Sequence, residues 1–124
     1  TGRRPLHDPL FRARLNALEM RIHATDLTNL RFLRAEERGE AVGLPAPYLK
    51  VLSSHLQQDV LELQMRMLGP DALPVSLAGG SNESLERVSE YANVAPTYCN
   101  YRKTTIYAGS NEIQRNIAAK SLLG

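Results

Sequence analysis

The chain has 124 residues, 43% of them hydrophobic and 23% charged, a balance that suits one soluble globular domain and is too apolar for a disordered segment. Its formal net charge of +2 arises from arginines scattered among acidic residues, so no block of charge marks a nucleic-acid or membrane partner. Cys99 is the single cysteine, which excludes an intrachain disulfide, and no Cys/His pair stands at zinc-ligand spacing; both favour a reducing, cytoplasmic setting.

No apolar run approaches the ~18 residues that span a bilayer, and "TGRRPLHDPLF" lacks the apolar stretch of a signal peptide. The chain begins at Thr1 with no initiating Met, so it is expected to be a piece of a longer subunit. Asp8-Pro9 is the first helix start: Asp accepts from unpaired N–H groups, and Pro at the first helical position gives up a donor that has no partner there. Phe11, Leu15, Leu18 and Ile22 then recur at helical steps, and the stripe is expected to continue through Leu30 and Leu33. Arg38-Gly39 ends the helix, with Gly as a left-handed cap.

"AVGLPAPYLK" is a Pro/Gly connector, with Pro47 in the first turn of a second helix whose apolar stripe lies between Tyr48 and Leu68. Its stripe is Leu49, Leu52, Leu56, Leu63 and Met67, and Gly69-Pro70 stops it. Two such helices with a short connection pack best antiparallel. The following segment, rich in Gly, Ser, Asn and Pro, reads as a surface loop with one helical turn around Glu83 to Tyr91. In "PTYCNYRKTTIY", Pro96 and the spacing of Val94, Tyr98, Tyr101 and Thr105 favour a short helix over a strand. Gly109-Ser110 breaks it. Asn111 with Gln114 resembles a capping box opening the last helix, whose apolar side is Ile113, Ile117, Ala118 and Leu122. The fold expected is all-α, an up-and-down four-helix bundle.

Chemistry-bearing motifs are few. His7, His23 and His55 lie far apart and outside any ligand spacing, so no metal site is expected, and Glu36-Glu37 among arginines reads as a solvated face. No glycine-rich phosphate loop or Gly-x-Ser-x-Gly occurs. What remains is the corner Tyr107-Ala108-Gly109-Ser110, which presents backbone donors at a helix N-terminus; its bland reading is an ordinary bend between helices.

"TIYAGSNEIQRNIAAKSLLG" resembles the C-terminal signature of acyl-CoA dehydrogenases, roughly Ile-Tyr-Glu-Gly-Thr-Ser-Glu/Gln-Ile-Gln-Arg, with Ile106, Tyr107, Gly109, Ile113, Gln114 and Arg115 matching as they stand. "LELQMRMLGPDAL" is similar to the family's Gln-Ile-Leu-Gly-Gly-x-Gly segment, and "GRRPLHDPLFRARLNALE" resembles the start of a long helix of its C-terminal domain. The resemblance implies a helical domain that helps to hold FAD in a homo- or hetero-oligomer. The parent enzyme would take acyl-CoA as substrate and pass electrons to an electron-transfer flavoprotein. Gly109 would lie near the thioester, Ser110, Asn111 and Glu112 near the flavin, and Arg66, Met67, Leu68 and Gly69 near the cofactor of a neighbouring subunit.

Three departures accompany it. Ala108 occupies the position where many members carry the catalytic Glu, and a methyl group accepts no proton. Arg66 and Pro70 replace the Gln and second Gly of the flavin-contacting segment. Nothing resembles the family's N-terminal helical and middle β domains. The expectation is therefore an isolated C-terminal domain without dehydrogenase activity and with weak FAD binding at most. The alternatives are a flavin-free helical assembly subunit, and an acyl-CoA oxidase or flavin monooxygenase of the same fold.

Overall fold

The structure is a computed structural model that describes residues 5–40, 45–73 and 93–123. Among them there are four α-helices and no strand: α1 (Pro9–Glu37), α2 (Pro45–Leu68), α3 (Val94–Asn100) and α4 (Asn111–Leu123). Short 3-10 turns stand at Pro5–His7, Gly69–Ala72 and Tyr101–Thr105. The all-α class expected from the periodicity is the one observed. The helical turn expected at Glu83 to Tyr91 lies outside the described residues.

α1 is framed by the signals that its sequence carries. Pro9 opens it, and the Asp8 carboxylate accepts from the Leu10 N–H at 2.9 Å. At its far end Gly39 takes φ +69°, its N–H donates to the Glu36 carbonyl at 2.9 Å, and the Glu40 N–H donates to the Ala35 carbonyl at 3.0 Å. This is the Schellman closure, in which a left-handed residue lets two N–H groups turn back on the last carbonyls.

The chain forms two compact units, Thr1–Leu56 with Lys103–Gly124, and Gln57–Arg102. In the first, Phe11, Leu18 and Leu56 are the buried apolar side chains. The covered line of α1 begins as expected with Phe11, Leu15, Leu18 and Ile22, but continues through Thr25, Thr28 and Phe32. Leu30 and Leu33 are instead 48% and 47% exposed, which corrects the expected stripe. Threonine is tolerated on this face because the Thr25 and Thr28 hydroxyls donate to the Arg21 and Ala24 carbonyls of their own helix, at 2.8 and 2.7 Å.

Ala24, Thr25 and Thr28 share a groove with Tyr48, Leu52 and Leu56, so the later half of α1 meets the early half of α2, as in a helical hairpin. At about 200 Å³ this groove is smaller than the ~300 Å³ at which ligand pockets begin, and it reads as imperfect helix packing. α4 turns a mixed face inward: Asn111 is buried and Gln114 and Ala118 are half-covered. Ile113, Ile117 and Leu122, expected to form its apolar contact side with Ala118, are exposed. Within the described residues the side of α4 that is covered carries Asn111, Gln114 and Ala118 instead.

In the second unit Leu61 and Ala72 are buried. Met67, assigned to the apolar stripe of α2, is exposed, and Leu61 takes the buried place. α2 itself starts at Pro45, earlier than Tyr48, and Pro47 falls in its first turn. α3 is a helix as expected, and Val94, Tyr98, Tyr101 and Thr105 are all half-covered. Arg102 lies 4.1 Å over the Tyr98 ring and donates to the Gln58 side-chain carbonyl at 3.3 Å, while the Gln58 amide donates to the Arg102 carbonyl at 3.2 Å. The chain's path after α3 is thereby tied to α2 within this unit.

Candidate functional site

The corner that precedes α4 has two consecutive residues in left-handed backbone, Ala108 at φ +55° and Gly109 at φ +84°. Gly suits this region; Ala does not, because its Cβ crowds the following carbonyl at roughly 1–2 kcal/mol. A strained alanine persists only where its surroundings fix it. Here three side chains do so.

Ser110 caps the helix: its hydroxyl oxygen accepts from the Ile113 N–H at 3.4 Å, and its carbonyl accepts from the Gln114 N–H at 2.9 Å. The expected Asn111/Gln114 box is therefore displaced by one residue, since Ser110 and Asn111 are both good capping types and the serine takes the role. Gln114 reaches back and donates its side-chain amide to the Ala108 carbonyl at 3.4 Å. Its amide lies where a side chain on Gly109 would project, so the absence of a Cβ there makes room for Gln114.

Asn111 is 1% exposed at the first position of α4. The Lys50 ammonium donates to its Oδ1 at 2.7 Å, and its Nδ2 donates to the Ser54 hydroxyl at 3.0 Å. The Ser54 hydroxyl has one proton and two acceptors in reach, the Val51 carbonyl at 2.9 Å and Asn111 Oδ1 at 3.2 Å. Donation to Val51 gives every group one good partner, because Lys50 already serves the amide oxygen. Among the described residues no buried side-chain nitrogen or oxygen lacks a partner.

Glu112 follows, exposed. Its carboxyl is held below the usual glutamate value, first by its own backbone N–H, then by the Ser110 hydroxyl, with smaller help from the charges of Arg115 and Lys50 against a small opposing effect of burial. Ser110 thus accepts from the helix and donates to Glu112. The corner presents a half-covered serine, an ionised carboxylate and backbone at the helix start.

The other predicted residues are in the Gln57–Arg102 unit. Arg66 is exposed and pairs with Glu62 one turn earlier. Met67 is exposed, Leu68 is half-covered, and Gly69 takes φ +55° at the start of the Gly69–Ala72 turn. His7, His23 and His55 are all exposed, and among the described residues no three metal-binding side chains converge. No described helix is long and apolar enough to cross a membrane.

Ser110 is half-covered and Glu112 exposed, so both keep polar groups at the surface; in the other unit Arg66, already paired with Glu62, and Met67 are exposed. The Asn111 side chain is already engaged at both ends by protein groups, so it serves the corner from behind. Sequence reasoning missed Lys50 and Ser54. They stand one turn apart on α2, and nothing in the sequence sets them apart from the other polar residues of that helix, which water can satisfy.

The family model described as "Acyl-CoA dehydrogenase, C-terminal domain" matches residues 1–123. No curated protein and no solved structure matches the chain.

Proposed function

The chain belongs to the acyl-CoA dehydrogenase C-terminal domain family, and from that premise we propose that it is the helical C-terminal domain of an FAD-dependent enzyme that desaturates an acyl-CoA thioester between its α and β carbons. The observation that carries the reading is the corner from Tyr107 to Glu112: it lies within the stretch that resembles the family's C-terminal signature, and its strained backbone is held by dedicated side chains. A bound flavin supplies the hydride acceptor in this chemistry. The chain's own share is to wall that acceptor with Ser110 and Glu112, and to offer backbone near Gly109 to the thioester.

The α C–H beside a thioester is a weak acid, so its removal needs a positioned base of suitable pKa. Ala108 supplies none. Glu112 is the sole carboxylate from Ile106 to Glu112, and its lowered pKa makes it a poor proton acceptor. Either the base lies outside this corner, in another part of the parent enzyme, or the parent is a non-catalytic subunit; in both cases the chain alone is expected to show no turnover with acyl-CoA and an electron-accepting dye.

Exposed apolar side chains such as Leu10, Met20, Leu27, Ile113 and Ile117 support further burial against protein, in keeping with a homo- or hetero-oligomeric parent in the cytoplasm that hands electrons to an electron-transfer flavoprotein. The methyl of Ala108 favours a second reading, in which the fold carries a different flavin reaction or serves assembly without flavin. Melting curves of the chain at rising FAD concentration separate these, because a ligand of the native state raises its stability. An FAD-dependent rise in Tm supports the flavin-side wall. No rise in the chain and none in its full-length parent would leave the flavin-free assembly subunit.

A further inference from the structure

We propose that Asn111 is a positioning residue: it pins the first turn of α4 to Lys50 and Ser54 of α2 and so sets the orientation of the Ala108-Gly109-Ser110 corner. Asn111 is the most enclosed polar side chain among the described residues, at 1% exposure. Its partners lie 61 and 57 residues away in sequence, so the contact is tertiary and not a local cap. Two anchors one turn apart on α2 fix both the position and the rotation of a helix end, which one hydrogen bond does not.

Ile106, Tyr107 and Ala108 are exposed, as is Ile113 on the first turn of α4, so these side chains do not fix the direction of the corner; on its upstream side the buried Thr104 leads into it. Ser110 and Gln114 close the corner on itself, which fixes its internal shape but not where it points. The external reference is Asn111. Its orientation matters for flavin only if the corner is a cofactor-side wall, and to that extent the functional consequence rests on the reading above; the pinning itself is a property of the free chain.

The test is amide hydrogen exchange on the full chain, comparing Ile113 and Gln114, whose N–H groups are held by Ser110, with Leu18 and Ile22 in α1. In Asn111→Ala, exchange at Ile113 and Gln114 should rise about tenfold or more, as expected for losing buried hydrogen bonds that include a charged donor, with α1 changed by less than about twofold. Asn111→Asp keeps an acceptor for Lys50 and should recover most of the protection; Asn111→Leu, similar in size, should recover none. If the alanine variant does not fold, Ser54→Ala removes one anchor and should give a smaller rise confined to the same amides. Unchanged exchange at Ile113 and Gln114, or an equal rise at Leu18 and Ile22, overturns the proposal. An FAD-induced rise in Tm that is absent from wild type while the exchange pattern holds removes the flavin reading and leaves the pin standing.

Discussion

The glycine corners at Gly39 and Gly109 each bound a helix, and the two are built differently. The one after α1 uses a single left-handed residue, Gly39, and is closed by backbone N–H groups alone. A side chain there would meet nothing within 4 Å, and the neighbouring Arg38–Glu40 ion pair, at 2.6 Å, is well exposed on both sides. The one before α4 uses two left-handed residues, one of them an alanine, and recruits Ser110, Gln114 and Asn111, the last tied to α2. A helix stop needs only the backbone of the chain that it stops. A corner that must point somewhere needs partners from elsewhere in the sequence, and it accepts strain to keep them.

The contrast breaks most visibly at the polar anchors. Asn111→Leu leaves the part-buried Lys50 ammonium without its acceptor and takes from the Ser54 hydroxyl the amide it accepts from, and should destabilise the chain by about 1–3 kcal/mol in urea unfolding. Glu40→Leu removes an exposed ion pair, worth ~0–1 kcal/mol, and leaves the backbone closure intact. Comparable losses at the two sites would mean that the α4 corner is no more than a bend. The glycines come next. Gly39→Ala should lose about 1 kcal/mol from its left-handed backbone, and Gly109→Ala about 1–2, because the new methyl also drives the Gln114 amide off the Ala108 carbonyl. Ala108→Gly runs the other way: relief of the left-handed strain outweighs the entropy gained by the unfolded chain, for a gain under about 1 kcal/mol in the same measurement.

The same contrast explains what the sequence could reveal. Asp8-Pro9 and Gly39 announced the limits of α1, and Gly69-Pro70 the end of α2, because caps act over a few neighbouring residues and leave a local signature. Pro96 likewise marked α3. The continuation of α1 was misread at Leu30 and Leu33, since leucines occur on several faces of a 29-residue helix, and Thr25 and Thr28 satisfy their hydroxyls internally and pass for apolar. In α4 the isoleucines give the periodicity of a contact face, yet they are exposed and Asn111 is the buried residue. At the site, the motif pointed to Ser110 and Glu112 through resemblance, while Lys50 and Ser54 entered only through contacts across more than fifty residues. One-dimensional reading shows which residues want a polar partner, but not which they find.

The smallest effect tests the outer face of the corner. Glu112 is ionised more readily in the folded chain than in the unfolded one, because its own N–H and the Ser110 hydroxyl both donate to the carboxylate. Its contribution is then fully present above the unfolded glutamate value of about 4.3 and is lost as pH falls through the lower folded value. Melting curves of wild type and Glu112→Gln should differ in favour of wild type at pH 7 and converge below about pH 4. Since hydrogen bonds outrank the charges of Arg115 and Lys50 among the causes, high salt should leave most of the gap at pH 7 in place, whereas a gap due to charge pairs alone would be screened away. A gap of constant size from pH 7 to pH 3 would mean that the glutamine replaces something other than an ionised carboxylate, and that Ser110 donates elsewhere.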